Sequence, residues 1–166
     1  YTTLASTLRP RLPASPFVLL AESFAGPLAI ELAVAGQPGL HGLVLSTTFA
    51  RRPVPLPAAS ARILAAAWPL PPLALMARLL LGQWRTRANL HELRLAIAQV
   101  PAATLRQRAA ATLQVDVRAL LPELVLPTLC LHAQQDRLLW PPSVAELQAL
   151  LPDARPVSYT HLRAHE

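Results

Sequence analysis

The chain has 166 residues and a formal net charge of +6, which is room for one domain and its core. Because 53% of the residues are hydrophobic, only 14% are charged and the mean hydropathy is +0.36, an intrinsically disordered chain is excluded. With 5 glycines, 18 prolines and a single cysteine, collagen, a long coiled coil and a disulfide scaffold are excluded as well.

The basic residues do not indicate a nucleic-acid partner. All 15 are arginines, and because arginine stays protonated to very high pH, the sequence pI of 11.2 overstates the charge. They occur as scattered pairs such as Arg9/Arg11 and Arg51/Arg52, with no basic tract and no interleaved aromatic residues. We therefore expect no nucleic-acid binding. Arginine without lysine, amid abundant Ala, Leu and Pro, is typical of a GC-rich bacterial gene.

We expect that neither end of the sequence is a native terminus. It begins at Tyr1, inside what reads as a helix already under way, so we expect that the native start is missing and leave secretion and compartment open. Residues 157–166 (VSYTHLRAHE) match the translation of a transposon mosaic-end sequencing adapter. We expect this segment to be a non-native tail, the alternative being a genuine short strand at 157–159.

The first fifty residues predict a βαβ unit. The apolar run at 16–21 (PFVLLA) predicts a strand, and the stretch from Phe24 to about Ala35, ended by Gly36 and Pro38, predicts a helix. A second apolar run at 40–48 (LHGLVLSTT) has no polar alternation, which is typical of a strand buried on both faces of a parallel sheet.

Residues 51–115 predict an all-helical insertion, with helices near 58–68, 73–81, 89–99 and 102–113. Its uncharged stretch at 63–77 is interrupted by prolines and is shorter than the ~20 apolar residues that a membrane-spanning helix needs. A hydrophobic cap over a binding site is favoured over a membrane segment. Apolar residues of this cap include Trp68, Leu73, Leu75, Met76 and Trp84.

The remaining segment returns to α/β character. Asp116 is predicted to be the N-cap of an amphipathic helix. A third buried strand is predicted at 126–132 (LPTLCLH), followed by a polar turn at 133–136, a helix at 142–151 and the approach to a further strand.

Ser23 is the strongest candidate for a chemical role. It lies between the first strand and the first helix of the βαβ unit, with Ala21 two residues before it and Ala25 two residues after it. A serine on a sharp strand-to-helix turn requires small residues at those two positions, because they crowd one another.

The segment FVLLAESFAGPLAIELA resembles the nucleophile elbow of the α/β-hydrolase superfamily, whose usual form is Gly-x-Ser-x-Gly, with alanine here in place of both glycines. The segments GLVLSTTFARRP, the helical insertion, DVRALLPELVLPTL and LHAQQDRLLWPP follow in the family's order. The resemblance implies a partial α/β-hydrolase fold: a mostly parallel sheet flanked by helices, with an inserted helical cap. It divides the chain into core 1–50, cap 51–115, core 116–156 and tail 157–166.

The resemblance also implies site residues. Ser23 corresponds to the nucleophile, the Phe24 N–H to one oxyanion donor, and Asp136 to the triad acid, as Ala-Gln-Gln-Asp where the family usually has Gly-x-x-Asp. The second oxyanion donor belongs to an early loop that this chain lacks. His161 and His165 have a suitable spacing for the base but lie in the adapter-like tail, so the base is left unassigned.

Other reactive side chains have simpler explanations. Cys130, within a predicted strand, is expected to be an inert buried thiol. The three remaining histidines are expected to hydrogen-bond to solvent or to the backbone. Asp116 is expected to cap a helix, and Glu22 to be an exposed residue at the elbow, so neither is expected to be catalytic. The histidines are His41, His91 and His132.

The activity implied is serine hydrolysis of a carboxylic ester or thioester with an apolar acyl part, through an acyl-enzyme and without cofactor or metal. The partner expected is a small-molecule ester or acyl substrate, with no stable membrane span and the oligomeric state open. Lacking one oxyanion donor and its base, the 166-residue chain itself is expected to be inactive. The alternatives are a non-catalytic hydrolase-like binding protein and an apolar membrane-surface module at 58–81.

Overall fold

Four parallel strands form the sheet of the computed structural model, which describes residues 1–66, 70–134, 136, 138–151 and 155–159. The strands lie side by side in chain order: β1 (Phe17–Glu22), β2 (Leu40–Ser46), β3 (Thr128–Ala133) and β4 (Arg155–Tyr159). The predicted α/β fold with a parallel sheet is confirmed.

The helices fall into two compact units. The first unit, Tyr1–Pro55 with Val115–Glu166, contains the sheet, and the second is Leu56–Gln114. Two short 3-10 helices, Arg9–Arg11 and Arg118–Glu123, belong to the first unit. In chain order the α-helices are α1 (Thr2–Leu8), α2 (Ala25–Val34), α3 (Ser60–Ala66), α4 (Leu73–Leu80), α5 (Arg87–Ala98), α6 (Ala102–Gln114) and α7 (Pro141–Ala149).

The hydrophobic core of the first unit joins the sheet to its helices. Leu43 and Leu45 of β2, Ile30 of α2 and Leu121 of the second 3-10 helix are all almost completely buried. Val144 and Leu147 extend the cluster onto α7. Burying each large aliphatic side chain contributes about 1.5–3 kcal/mol, so this core holds the sheet against α2 and α7.

The face of β1 that points away from this core is open to solvent. Val18 is 62% exposed and Leu20 is 64% exposed. The register places Leu20 beside Val44, and Val44 beside Leu129, so aliphatic side chains continue across the sheet on this face. Strands of a parallel sheet are normally covered on both faces, so the exposed Val18 and Leu20 form an unusual apolar surface.

The predicted α-helix starting at Asp116 is wrong. A 3-10 helix forms instead, with Val117 at its N-cap and Pro122 inside it. Proline has no N–H to donate and its ring clashes with the carbonyl four residues earlier, which prevents a regular α-helix here. The Asp116 carboxylate accepts hydrogen bonds from Arg118, and its backbone forms an antiparallel bridge with Arg51.

Several boundaries differ from those predicted. Helix α5 begins at Arg87, earlier than expected, because the Thr86 side chain caps it by accepting the Asn89 N–H. Strand β2 ends at Ser46, before the predicted end at Thr48, because Thr47 leaves the extended conformation. Strand β4 includes residues 157–159, whereas Trp68, His161 and His165 lie outside the described residues.

None of the helices in the described part of the chain is long and apolar enough to cross a bilayer.

Candidate active site

The turn from β1 to α2 is built around Ser23 in a left-handed backbone conformation, with φ of +50°. A residue with a side chain seldom adopts this conformation, which costs of the order of 1–3 kcal/mol and persists only where the surroundings enforce it. Ala21, which is 2% exposed, and Ala25, the first residue of α2, add little bulk on either side. Ser23 itself is half-buried.

Hydrogen bonds from both neighbouring elements hold the Ser23 backbone. Its N–H donates to the Ser46 carbonyl at 3.0 Å, in continuation of the β1–β2 pairing. Its carbonyl accepts the Gly26 N–H at 3.1 Å and the Thr48 hydroxyl at 2.5 Å. Ser23 is therefore fixed by α2 on one side and by the end of β2 on the other.

Gly26 and Thr48 form a close contact beneath this turn. A methyl group on Gly26 would come within 1.9 Å of Thr48 Oγ1, so only a glycine allows α2 to approach β2 this closely. Thr48 is 4% exposed. Sequence reasoning missed both residues; the available signals were a glycine three residues after the serine and two threonines directly after a buried strand.

The Phe24 N–H lies at the start of α2. Phe24 is the N-cap of that helix, and the first N–H groups of a helix have no acceptor within it. They carry a partial positive charge that favours an anion. The position of this N–H is compatible with the oxyanion role predicted for it. The Phe24 ring packs against Tyr1, with 4.7 Å between the ring centroids.

Asp136 follows β3 in a turn that its own side chain organises. Its Oδ1 accepts the backbone N–H of Leu138 at 2.7 Å and that of Leu139 at 2.8 Å, while its own N–H donates to the Ala133 carbonyl at 3.1 Å. Hydrogen bonds to a carboxylate are stronger than those between neutral groups. They fix the direction of the half-buried Asp136 side chain.

The strand register brings Ser23 and Asp136 to the same edge of the sheet. Glu22, Ser46 and Leu131 lie side by side across β1, β2 and β3. Ser23 comes one residue beyond this row and Asp136 five residues beyond it, both past the carboxyl ends of their strands. Since neighbouring strands are ~4.8 Å apart, β1 and β3 are separated by about 10 Å. In open α/β sheets, ligands bind at this edge.

The remaining candidate side chains lie on β1, β2, β3 and α5. Glu22 and His41 are exposed, and His132 is half-buried within β3. His91 is exposed on α5. Cys130 is 4% exposed, and burial raises the pKa of its thiol. Within the described ranges, no group of three or more His, Cys, Asp or Glu side chains could hold a metal ion.

A parallel sheet with a serine on a strained strand-to-helix turn defines the class as an α/β hydrolase. The chain belongs to the hydrolase family described as serine aminopeptidase, S33, whose family model matches residues 1–166. A search of curated proteins found no match.

Solved structures of hydrolases share the fold at low sequence identity. A hydrolase from Pseudomonas aeruginosa PA01 is 23% identical with a TM-score of 0.73, over 96% of this chain and 62% of that protein. A thermophilic esterase from Thermogutta terrifontis is 22% identical, with a TM-score of 0.71 over 94% and 60%. The enol-lactonase from Burkholderia xenovorans LB400 is 21% identical, with a TM-score of 0.67 over 95% and 60%. The chain therefore spans about 60% of the length of these structures.

Proposed function

We propose that this chain supplies the nucleophile and the acid of a serine hydrolase that cleaves carboxylic esters or thioesters through an acyl-enzyme. The observation that carries the proposal is the left-handed Ser23 on the β1–α2 turn, held by both flanking elements. Strain of this kind clusters at active sites, where it presents a side chain in a defined direction. Asp136, at the same edge of the sheet, supports the assignment.

The chemistry proceeds in two steps. Ser23 Oγ attacks the acyl carbon while a histidine base takes its proton, and the bond between the acyl carbon and the leaving oxygen or sulfur breaks as that atom receives the proton. Water then attacks the acyl-enzyme, releases the acid and restores the serine. Asp136 orients the histidine and stabilises its charged form, and the Phe24 N–H stabilises the oxyanion. We assign no histidine of this chain as the base.

The substrate that we propose is an ester or thioester with an apolar acyl part. Ligand sites are lined mostly by apolar and aromatic side chains with a few polar groups. The esterase and the lactonase among the matched structures act on acyl–oxygen bonds by their names, which agrees with an ester substrate.

The test is hydrolysis of p-nitrophenyl esters of increasing acyl length, and of a matching thioester, by the full-length protein that contains this chain. We expect Ser23→Ala to abolish turnover and Asp136→Asn to lower kcat by about 10⁴-fold, since the loss of the acid leaves the histidine in the wrong tautomer. Ser15→Ala, an exposed serine on the loop before β1, serves as the matched control and should retain activity.

Turnover that survives Ser23→Ala would contradict the assignment. Complete absence of wild-type turnover on every ester and thioester would favour a non-catalytic hydrolase-like binding protein, which the two elbow alanines, Ala21 and Ala25, allow. An S33 family member could also act on amides, so an amino-acid p-nitroanilide belongs in the same assay.

A further inference from the structure

We infer that Thr48 is a positioning residue for the proposed nucleophile: its hydroxyl, donated to the Ser23 carbonyl, holds the left-handed peptide that directs Ser23 Oγ. The hydrogen bond is 2.5 Å long and joins residues 25 apart in the chain. The inference rests on the proposed function, because it gives Thr48 a part in the chemistry of Ser23.

Burial makes the Thr48 hydrogen bond important. Thr48 is 4% exposed, so water cannot take the place of either partner if the hydrogen bond between its hydroxyl and the Ser23 carbonyl is lost. The Gly26 N–H is the second donor to the same carbonyl, at 3.1 Å. A carbonyl held by two donors from different elements has little freedom to rotate. The peptide after Ser23, which also carries the Phe24 N–H, is fixed by the same two bonds.

Thr47 explains how Thr48 reaches this position. Thr47 has φ of +46°, and its N–H donates to the Leu131 carbonyl on β3 at 2.8 Å. A β-branched residue in the left-handed region is a genuine outlier, which persists only when its surroundings hold it. The bend at Thr47 ends β2 and leads the chain to Thr48 beneath the β1–α2 turn. Ser23 and Thr47, two residues with positive φ that directly follow the neighbouring strands β1 and β2, are thus linked through Thr48.

The position of Thr48 predicts an effect on the rate of the chemical step and not on substrate binding. Thr48 is buried below the turn, with its hydroxyl on the backbone of Ser23. Its loss should therefore lower kcat with little change in KM, because the Ser23 hydroxyl and the Phe24 N–H lose their alignment together. Thr48→Ser keeps the hydroxyl and should restore most of the rate, whereas Thr48→Val keeps the shape and removes the donor.

The experiment measures two quantities on the full-length protein: the rate of Ser23 labelling by a fluorophosphonate, and hydrogen exchange at the amides of Ser23 and Gly26. The variants are Thr48→Val, Thr48→Ser and, in case valine prevents folding, Thr48→Ala. The matched control is Thr128→Val, which removes a half-buried hydroxyl that donates to the Leu126 carbonyl at the opposite end of β3.

We expect Thr48→Val to slow labelling by about tenfold, which corresponds to one lost hydrogen bond, and to speed exchange at both amides, while Thr48→Ser stays near wild type. Labelling and exchange no different from those of Thr128→Val would overturn the inference. Failure of the wild-type protein to label would overturn the proposed function instead, and exchange alone would then decide whether Thr48 holds the Ser23 peptide.

Discussion

Thr48 Oγ1 occupies the space that a side chain on Gly26 would need, with only 1.9 Å between that oxygen and a methyl group at Gly26. The contact sets how closely α2 approaches the end of β2. The same threonine donates to the Ser23 carbonyl, so the packing of the helix and the conformation of the proposed nucleophile depend on one buried side chain.

Gly26→Ala should destabilise the first unit. The added methyl group overlaps Thr48, and overpacking of this kind costs about 1–3 kcal/mol. Urea unfolding should show a lower midpoint with an unchanged slope. Combining Gly26→Ala with Thr48→Gly removes the overlapping atoms, so the double variant should be more stable than the sum of the two single changes predicts. A Gly26→Ala protein as stable as wild type would contradict the close contact.

Acidification should weaken the contact between Asp116 and Arg118. The side-chain hydrogen bond from Arg118 holds the pKa of the Asp116 carboxyl below its ordinary value of 3.8. A lowered pKa in the folded protein means that the stabilisation is complete above the ordinary pKa and is lost as pH falls through the folded value. The loss should therefore occur below about pH 4.

Asp116→Asn tests this pH dependence. Because the Asp116 side chain is 49% exposed, its contribution should stay under about 1 kcal/mol. Urea midpoints at pH 7 and pH 3 should differ less in Asp116→Asn than in wild type. Glu92→Gln, an exposed carboxylate on α5, is the matched control. An equal acid sensitivity in Asp116→Asn and wild type would refute the prediction.

Glu146 joins two arginines and should matter more than Asp116. Its carboxylate forms an ion pair with Arg51 Nε and a hydrogen bond of 3.0 Å with Arg118, and its side chain is 24% exposed. Since removing the charge leaves two partly buried guanidinium groups without this partner, Glu146→Gln should lower the free energy of unfolding by about 1–3 kcal/mol. Thermal unfolding measures this cost, and a smaller loss of stability in Glu146→Gln than in Asp116→Asn would contradict the prediction.

The exposed face of β1 should bind hydrophobic dyes. Val18 and Leu20 belong to an aliphatic row that continues onto β2. Exposed apolar patches promote association, so the 166-residue chain should bind anilinonaphthalene sulfonate and self-associate. Val18→Thr with Leu20→Thr should lower both signals by at least about half. Val125→Thr, at a residue that is 90% exposed and lies outside the strands, should change neither.

The sequence contained enough information to predict the sheet and the position of Ser23. Uninterrupted apolar runs predict strands of a parallel sheet, and the structure has strands at those runs, although one face of β1 is exposed rather than buried. Small residues around Ser23 signal a crowded turn, and its φ is indeed left-handed. Both signals are local, which is why sequence reasoning detects them.

The Thr48–Ser23 hydrogen bond and the close approach at Gly26 were not predicted. Each depends on how two distant segments pack, and the glycine after the serine and the threonines after the strand do not by themselves identify the contact. The left-handed conformation of Thr47 also contradicts the local preference of a β-branched residue, because tertiary contacts override it. The wrong prediction of an α-helix starting at Asp116 could have been avoided from the sequence, because Pro122 already argues against a regular α-helix there.

The most direct test of the account is the location of a covalent label. The full-length protein that contains this chain should be treated with a fluorophosphonate, digested and mapped by mass spectrometry. We predict one modified residue, Ser23, with the label absent from Ser23→Ala and from heat-unfolded protein. A label on another residue, or one that forms equally in the unfolded protein, would contradict the claim that the β1–α2 turn makes Ser23 a nucleophile.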